Sequence, residues 1–231
     1  MFLLLLLGLV LASGEDKFAR FLPKDYHEWS LQEAIDLLND SPWARQETFT
    51  KVVGGVGSGI SGEKEIYNTF YVRFLSARPI RAAYARIQQI QSGYDKMNAE
   101  QKRLVDQAQQ PKLNVDVEDL IVVCVGFRSN NPNEESSVRR FFVNETTTTL
   151  KARAFLSTPD FPQVEILAYF PPVEDSVGAK FVFPRELDGR PVVLGEGERV
   201  TFELLDVPGA QPRLRAEFPV QYMLRDGTLV M

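Results

Sequence analysis

The chain has one cysteine and one histidine among 231 residues. With Cys124 alone, no intramolecular disulfide can form in any compartment. Cys124 and His27 together fall short of the ligand set of a usual structural zinc site, so no metal is expected. No serine stands in a G-x-S-x-G elbow, and no Gly-rich loop ends in Lys-Ser or Lys-Thr. Beyond residue 12, no apolar run approaches the roughly 20 residues that a membrane-crossing helix needs. Positive charge is in short supply too, with a net charge of −5. Residues 15–110 carry 13 acidic and 13 basic side chains, and residues 111–231 carry 18 and 13. A negative excess concentrated in the second half repels phosphate backbones and anionic lipid. Nucleic acid is therefore disfavoured as a partner.

What is present begins with Phe2 to Ala12, FLLLLLGLVLA, followed by the small residues Ala12-Ser13-Gly14. This is the form of a signal peptide's apolar core and cleavage site, although no Lys or Arg precedes it. Residues 1–14 are expected to be removed, leaving an exported protein, periplasmic or extracellular, without a membrane span. With 44% apolar residues and 16 Phe, the rest can bury a core.

Two parts are expected. Residues 15–110 read as helices with a β-hairpin. Ser30 and Glu33 form a capping box ahead of an apolar stripe of Leu31, Ala34, Ile35 and Leu38. Asn39 to Pro42 ends that helix. Thr48 to Val53 and Ile66 to Leu75 read as paired strands joined by the glycine-rich stretch Gly54 to Gly62. Pro79 opens a second helix with Ile80, Ala83, Tyr84, Ile87 and Gln91 on one face and Arg81, Gln88 and Gln89 facing elsewhere; Gly93 ends it. Asn98 caps a third, with Leu104, Val105 and Ala108 as its weak apolar side and Gln109 to Pro111 as its end.

From Pro111 onward the pattern turns β-rich. Leu120 to Phe127 is a buried-type strand, Asn130 to Ser137 a polar loop, and Arg139 to Val143 and Thr146 to Phe155 are β-prone. Short strands between frequent Gly and Pro turns predict an antiparallel, sandwich-like unit over residues 111–231. The fold class is α+β.

Several clusters carry candidate chemistry. Gly57 to Gly62 matches G-x-G-x-x-G, but a strand follows it where a dinucleotide fold has a helix, so a hairpin loop is favoured and no cofactor is expected. Asp25, His27 and Glu28 are the candidates for acid–base catalysis, since carboxylates can orient an imidazole. Arg73, Arg78, Arg81 and Arg86 surround a strand-to-helix junction. Guanidinium forks match carboxylates and phosphates, so they are the candidate anion- or partner-binding group; ion pairing with the acidic second half competes with that reading. Cys124 lies in an apolar run and reads as a buried hydrophobe. Asn130, Asn131, Asn133, Glu134 and Glu135 crowd one loop without EF-hand spacing and read as a turn. Asn144-Glu145-Thr146 is a glycosylation sequon, and Thr146 to Thr149 suits a strand.

The function expected is that of a non-catalytic binding or scaffold protein of the cell envelope with a protein partner. The alternatives are an envelope hydrolase using carboxylate and histidine, and a carrier of a small apolar ligand.

Overall fold

The computed structural model describes residues 18, 21–54, 63–195, 197–225 and 228–231. The leader and the G-x-G-x-x-G stretch lie outside the described residues.

Helix α1 (Leu31–Asn39) starts as its sequence dictates. Ser30 Oγ accepts from the Glu33 N–H, and Glu33 Oε2 accepts from the Ser30 N–H at 2.7 Å. Its buried side is Ala34, Leu37 and Leu38, whereas Leu31 is exposed. Strands β1 (Ala44–Gly54) and β2 (Glu63–Phe74) pair antiparallel along their full length, as the hairpin reading requires. Helix α2 (Arg78–Gln91) has Pro79 in its first turn and stops before Gly93, which adopts the left-handed φ of 76°. Helix α3 (Ala99–Leu113) begins in a reciprocal Asn98–Gln101 cap.

Both of the latter helices bury polar side chains, among them Gln89, which the pattern of α2 places off its apolar face. Gln89 is fully buried and donates to Gln109 Oε1 at 3.0 Å, and Gln109 donates to Ala85 O. Leu104 is exposed, while Gln109 and Leu113 are buried. Paired amides can be buried because each satisfies the other. Pro111 does not end α3; the helix runs on to Leu113, and the Asn114 N–H still reaches Gln110 O. A proline near the C-terminus removes one donor without undoing the last turn.

Strand β3 (Leu120–Ser129) forms as expected. The next segment does not. Residues expected as a polar loop and a strand form one helix, α4 (Pro132–Asn144), with Asn131 at its cap and Glu134 and Glu135 in its first turn. Val138 and Phe142, four residues apart, are its buried contacts, so the helical period outweighs the β-prone composition. Thr147–Leu150 is a short helix, α5, because the Thr146 and Thr149 hydroxyls and N–H groups cap one another. The threonine run is therefore not a strand, and Asn144 of the sequon is the exposed last residue of α4.

Strands β4 (Ala154–Ser157), β5 (Val164–Glu165), β6 (Ala168–Phe170) and β7 (Ala179–Pro184) follow. A two-residue ladder joins β8 (Glu186–Leu187) to β9 (Arg190–Pro191). Strands β10 (Arg199–Leu205) and β11 (Arg213–Pro219) form a hairpin, and β12 (Leu224–Arg225) pairs β13 (Thr228–Leu229). The larger sheet has the order β1-β2-β3-β7-β6, and a second has the order β11-β10-β4-β5; every pairing is antiparallel and neither sheet closes. The fold is mixed α+β.

The larger sheet takes strands from both sides of Pro111. One buried cluster runs from Leu37, Trp43 and Ile80 to Phe181, Phe202 and Phe218. Rings of one sheet meet rings of the other, Phe74 on Phe218 at 4.8 Å and Phe181 on Phe202 at 5.2 Å.

Candidate functional site

Strand periodicity sorts β2 onto two faces. Phe70, Val72 and Phe74 are fully buried on one, which puts Tyr71 and Arg73 on the other. The register pairs Tyr71 with Gly126 and Arg73 with Cys124, so these four share a face. Helix α4 rises on one side of them and residues 172–178 on the other. Between lies a groove of about 750 Å³ whose lining includes Leu38, Tyr71, Arg73, Tyr84, Gly126 and Val138.

Arg73 lies at the centre of this site. Its side chain is buried, with only 7% of the residue exposed. Nε donates to Leu38 O at 2.5 Å, and Nη1 donates to the Tyr84 hydroxyl at 2.9 Å. The guanidinium lies 4.8 Å from the Tyr71 ring centre and 5.7 Å from that of Tyr84. Among the described residues no carboxylate pairs with it. Neutral oxygens and ring faces orient the cation but leave its charge uncompensated, and taking such a charge out of water is costly without an anion nearby.

The surroundings keep room for one. A Cβ on Gly126 would come within 3.5 Å of Arg73 Nη1, so the glycine leaves the guanidinium open from the strand side. At the rim, Arg128 pairs with Glu135 at 3.3 Å, while Arg139 is exposed and has no carboxylate partner among the described residues. Burial pushes the Tyr84 phenol well above its ordinary value, so its hydroxyl stays protonated. Burial likewise pushes the Cys124 thiol up to about 11, against the opposing pull of the Arg73 and Lys180 charges. Cys124 is thus a neutral filler beneath the site, as its apolar neighbours indicate.

No protein-family model, curated protein or solved structure matches the chain.

The four candidate arginines separate in space. Only Arg73 lines the groove. Arg81 binds backbone, with Nε on Leu113 O at 3.0 Å and Nη1 on Leu75 O at 2.9 Å. Arg86 forms a two-pronged pair with Asp95 at 2.9 and 3.1 Å and donates to Trp29 O. Arg78 is exposed at the start of α2, and its charge helps hold the nearby Asp25 carboxyl ionised. None of the ion pairs among the described residues joins these four to residues 111–231.

Asp25 and His27 do meet. The imidazole Nδ1 lies 2.5 Å from Asp25 Oδ1, and Nε2 lies 3.1 Å from Asp106 Oδ1 on α3. Asp106 also accepts from the Tyr94 hydroxyl at 2.8 Å and from Gln89 at 3.2 Å. The ring rests against Tyr26 at 4.0 Å and Tyr94 at 5.7 Å. With both nitrogens engaged by carboxylates, His27 ties the turn Tyr26–Glu28 to α3. Asp25 is held below its ordinary value chiefly by the His27 N–H, and Glu28 is exposed.

The asparagine-rich loop is also occupied by structure. Asn130 accepts from the Tyr67 N–H and donates to Glu65 O; Asn131 caps α4; Glu134 pairs with Lys51. Among the described residues no group of three or more His, Cys, Asp or Glu gathers to hold a metal. Tyr71, Gly126 and Gly178 escaped sequence reasoning. A glycine inside the strand run VVCVGF is the signal that could have pointed to a close backbone approach, and only the register shows what lies opposite it.

Proposed function

We propose that this chain is an exported, non-catalytic binding protein of the cell envelope that captures a carboxylate-bearing segment of a partner protein in the groove over Arg73. The observation that carries the reading is a buried guanidinium with no carboxylate partner among the described residues, on the floor of a groove wide enough for side chains. A planar carboxylate fits the remaining edge of the guanidinium, which turns an uncompensated charge into a short, charge-assisted pair. Arg139 adds positive charge at the mouth. Val173 and Phe170, 62% and 54% exposed, offer apolar surface on the wall and its approach, which suits a polypeptide better than a bare ion. Export rests on the Phe2 to Ala12 run and its small-residue cleavage site. The edge-on ring contacts of Phe74 with Phe218 and Phe181 with Phe202, one ring from each sheet, support a sandwich-like packing of the two sheets.

Selection from a random peptide library tests the reading. Enriched peptides should carry Asp, Glu or a free C-terminus, and an Arg73→Met variant of unchanged melting temperature should lose them. Enrichment without acidic groups, or equal binding by Arg73→Met, refutes the groove assignment. Fractionation with N-terminal sequencing tests export: an intact Met1 in the cytoplasm refutes it.

A further inference from the structure

Behind Tyr84 lies a second cavity, of about 330 Å³, between α2, the end of α3 and the sheet. Its apolar walls are Leu75, Ala85, Val115, Val117, Val122 and Val177. Tyr84 lines both this cavity and the groove, and residues 172–178 divide their side chains between the two, Val173 and Glu174 to the groove and Asp175 and Val177 to the cavity. The two spaces are therefore neighbours separated by one ring and one segment.

The edge of the cavity is cationic. Lys180 is neutralised by Asp175 at 2.6 Å. Arg81 is not: it spends its donors on the carbonyls of Leu75, Ser76 and Leu113 and has no carboxylate partner among the described residues. Lys112 is exposed and also has no carboxylate partner among the described residues. An apolar chamber with two uncompensated cations at its edge is complementary to an amphipathic monoanion: the body is desolvated against aliphatic walls, and the charge stays at the rim.

We propose that this cavity is a separate ligand site for a small monocarboxylate with an apolar body, of the size of a one- or two-ring aromatic acid. It does not depend on the partner-binding reading of the Arg73 groove. Calorimetric titration with 2-naphthoate tests it, with 2-naphthalenemethanol as the neutral counterpart. The acid should bind at one saturable site and the alcohol at least tenfold more weakly. Val117→Trp, which fills the cavity from a half-buried loop position, should weaken the acid tenfold or more without lowering the melting temperature. Lys112→Gln, an exposed change, should weaken it by up to about fivefold. Arg73→Met should leave it unchanged. Absence of binding by the native protein overturns the site. So does binding that Arg73→Met abolishes and Val117→Trp spares, because that places the acid in the groove. Equal affinity for acid and alcohol overturns the carboxylate assignment.

Discussion

Replacing Gly178 by alanine is the most direct test of how the groove is built. Gly178 has a φ of 105°, and a Cβ there would stand 2.2 Å from Val125 O and 2.9 Å from Gly126 Cα. All the nearest atoms are backbone of β3, so no side chain can swing aside. The unfavourable φ alone costs about 1–3 kcal/mol. Ordinary contact begins near 3.4 Å, so β7 must also retreat from β3 by about 1 Å at the Val125–Ala179 pair, which is enough to break a ladder hydrogen bond worth about 1 kcal/mol. The sum is about 2–4 kcal/mol. For a chain of this size that lowers the melting temperature by about 4–16 °C, read by circular dichroism. Gly54→Ala is the control, because nothing lies within 4 Å of its added Cβ, and it should melt like the native protein. A Gly178→Ala protein melting within about 2 °C of native would refute the close approach of β7 to β3 and the groove wall that depends on it.

Asp95→Asn should cost about 1–2 kcal/mol, because Arg86 is buried but Asp95 is largely exposed and water replaces part of the pair. The Arg86 hydrogen bond holds the Asp95 carboxyl below its ordinary value, so this stability is present above the ordinary carboxyl range and is lost as pH falls through the folded value. Acid titrations of native and Asp95→Asn proteins should therefore converge below about pH 4; a constant gap contradicts the assignment. At the alkaline end the raised Cys124 value means stability that is full below the thiol's ordinary value and is lost as pH rises towards about 11. Cys124→Ala should flatten that limb, and fast labelling of the native thiol at neutral pH would contradict its burial. Asn98→Ala removes the α3 cap and should cost about 1 kcal/mol by denaturant titration. No measurable loss would mean that the end of α3 is held by packing alone.

The legible parts of this protein are those fixed by neighbours in sequence. The Ser30 and Asn98 caps, the turn at Pro79 and the stop at Gly93 depend on residues a few positions apart, the β1–β2 hairpin joins two successive strands, and each stands where its local chemistry puts it. Residues 130–150 misled because β-branched and aromatic composition favours strands, whereas the Asn131 and Thr146 caps and the Val138–Phe142 spacing favour helices. Capping is a specific hydrogen bond and composition only a tendency, so the caps prevailed.

The candidate sites were legible only in part. Arg73 was visible as one of four arginines, and nothing local separated it from Arg81 or Arg86, which bind backbone and Asp95. The sequence by itself determined the secondary-structure nuclei, the apolar content of the core and the absence of a disulfide. Tertiary structure decided that β3, from beyond Pro111, pairs with β2 from before it. That pairing sets Gly126 opposite Tyr71 and leaves Arg73 buried with no carboxylate partner among the described residues. Register and long-range pairing arise from the packing of whole faces, and a face is a property of two strands that no single stretch of sequence contains.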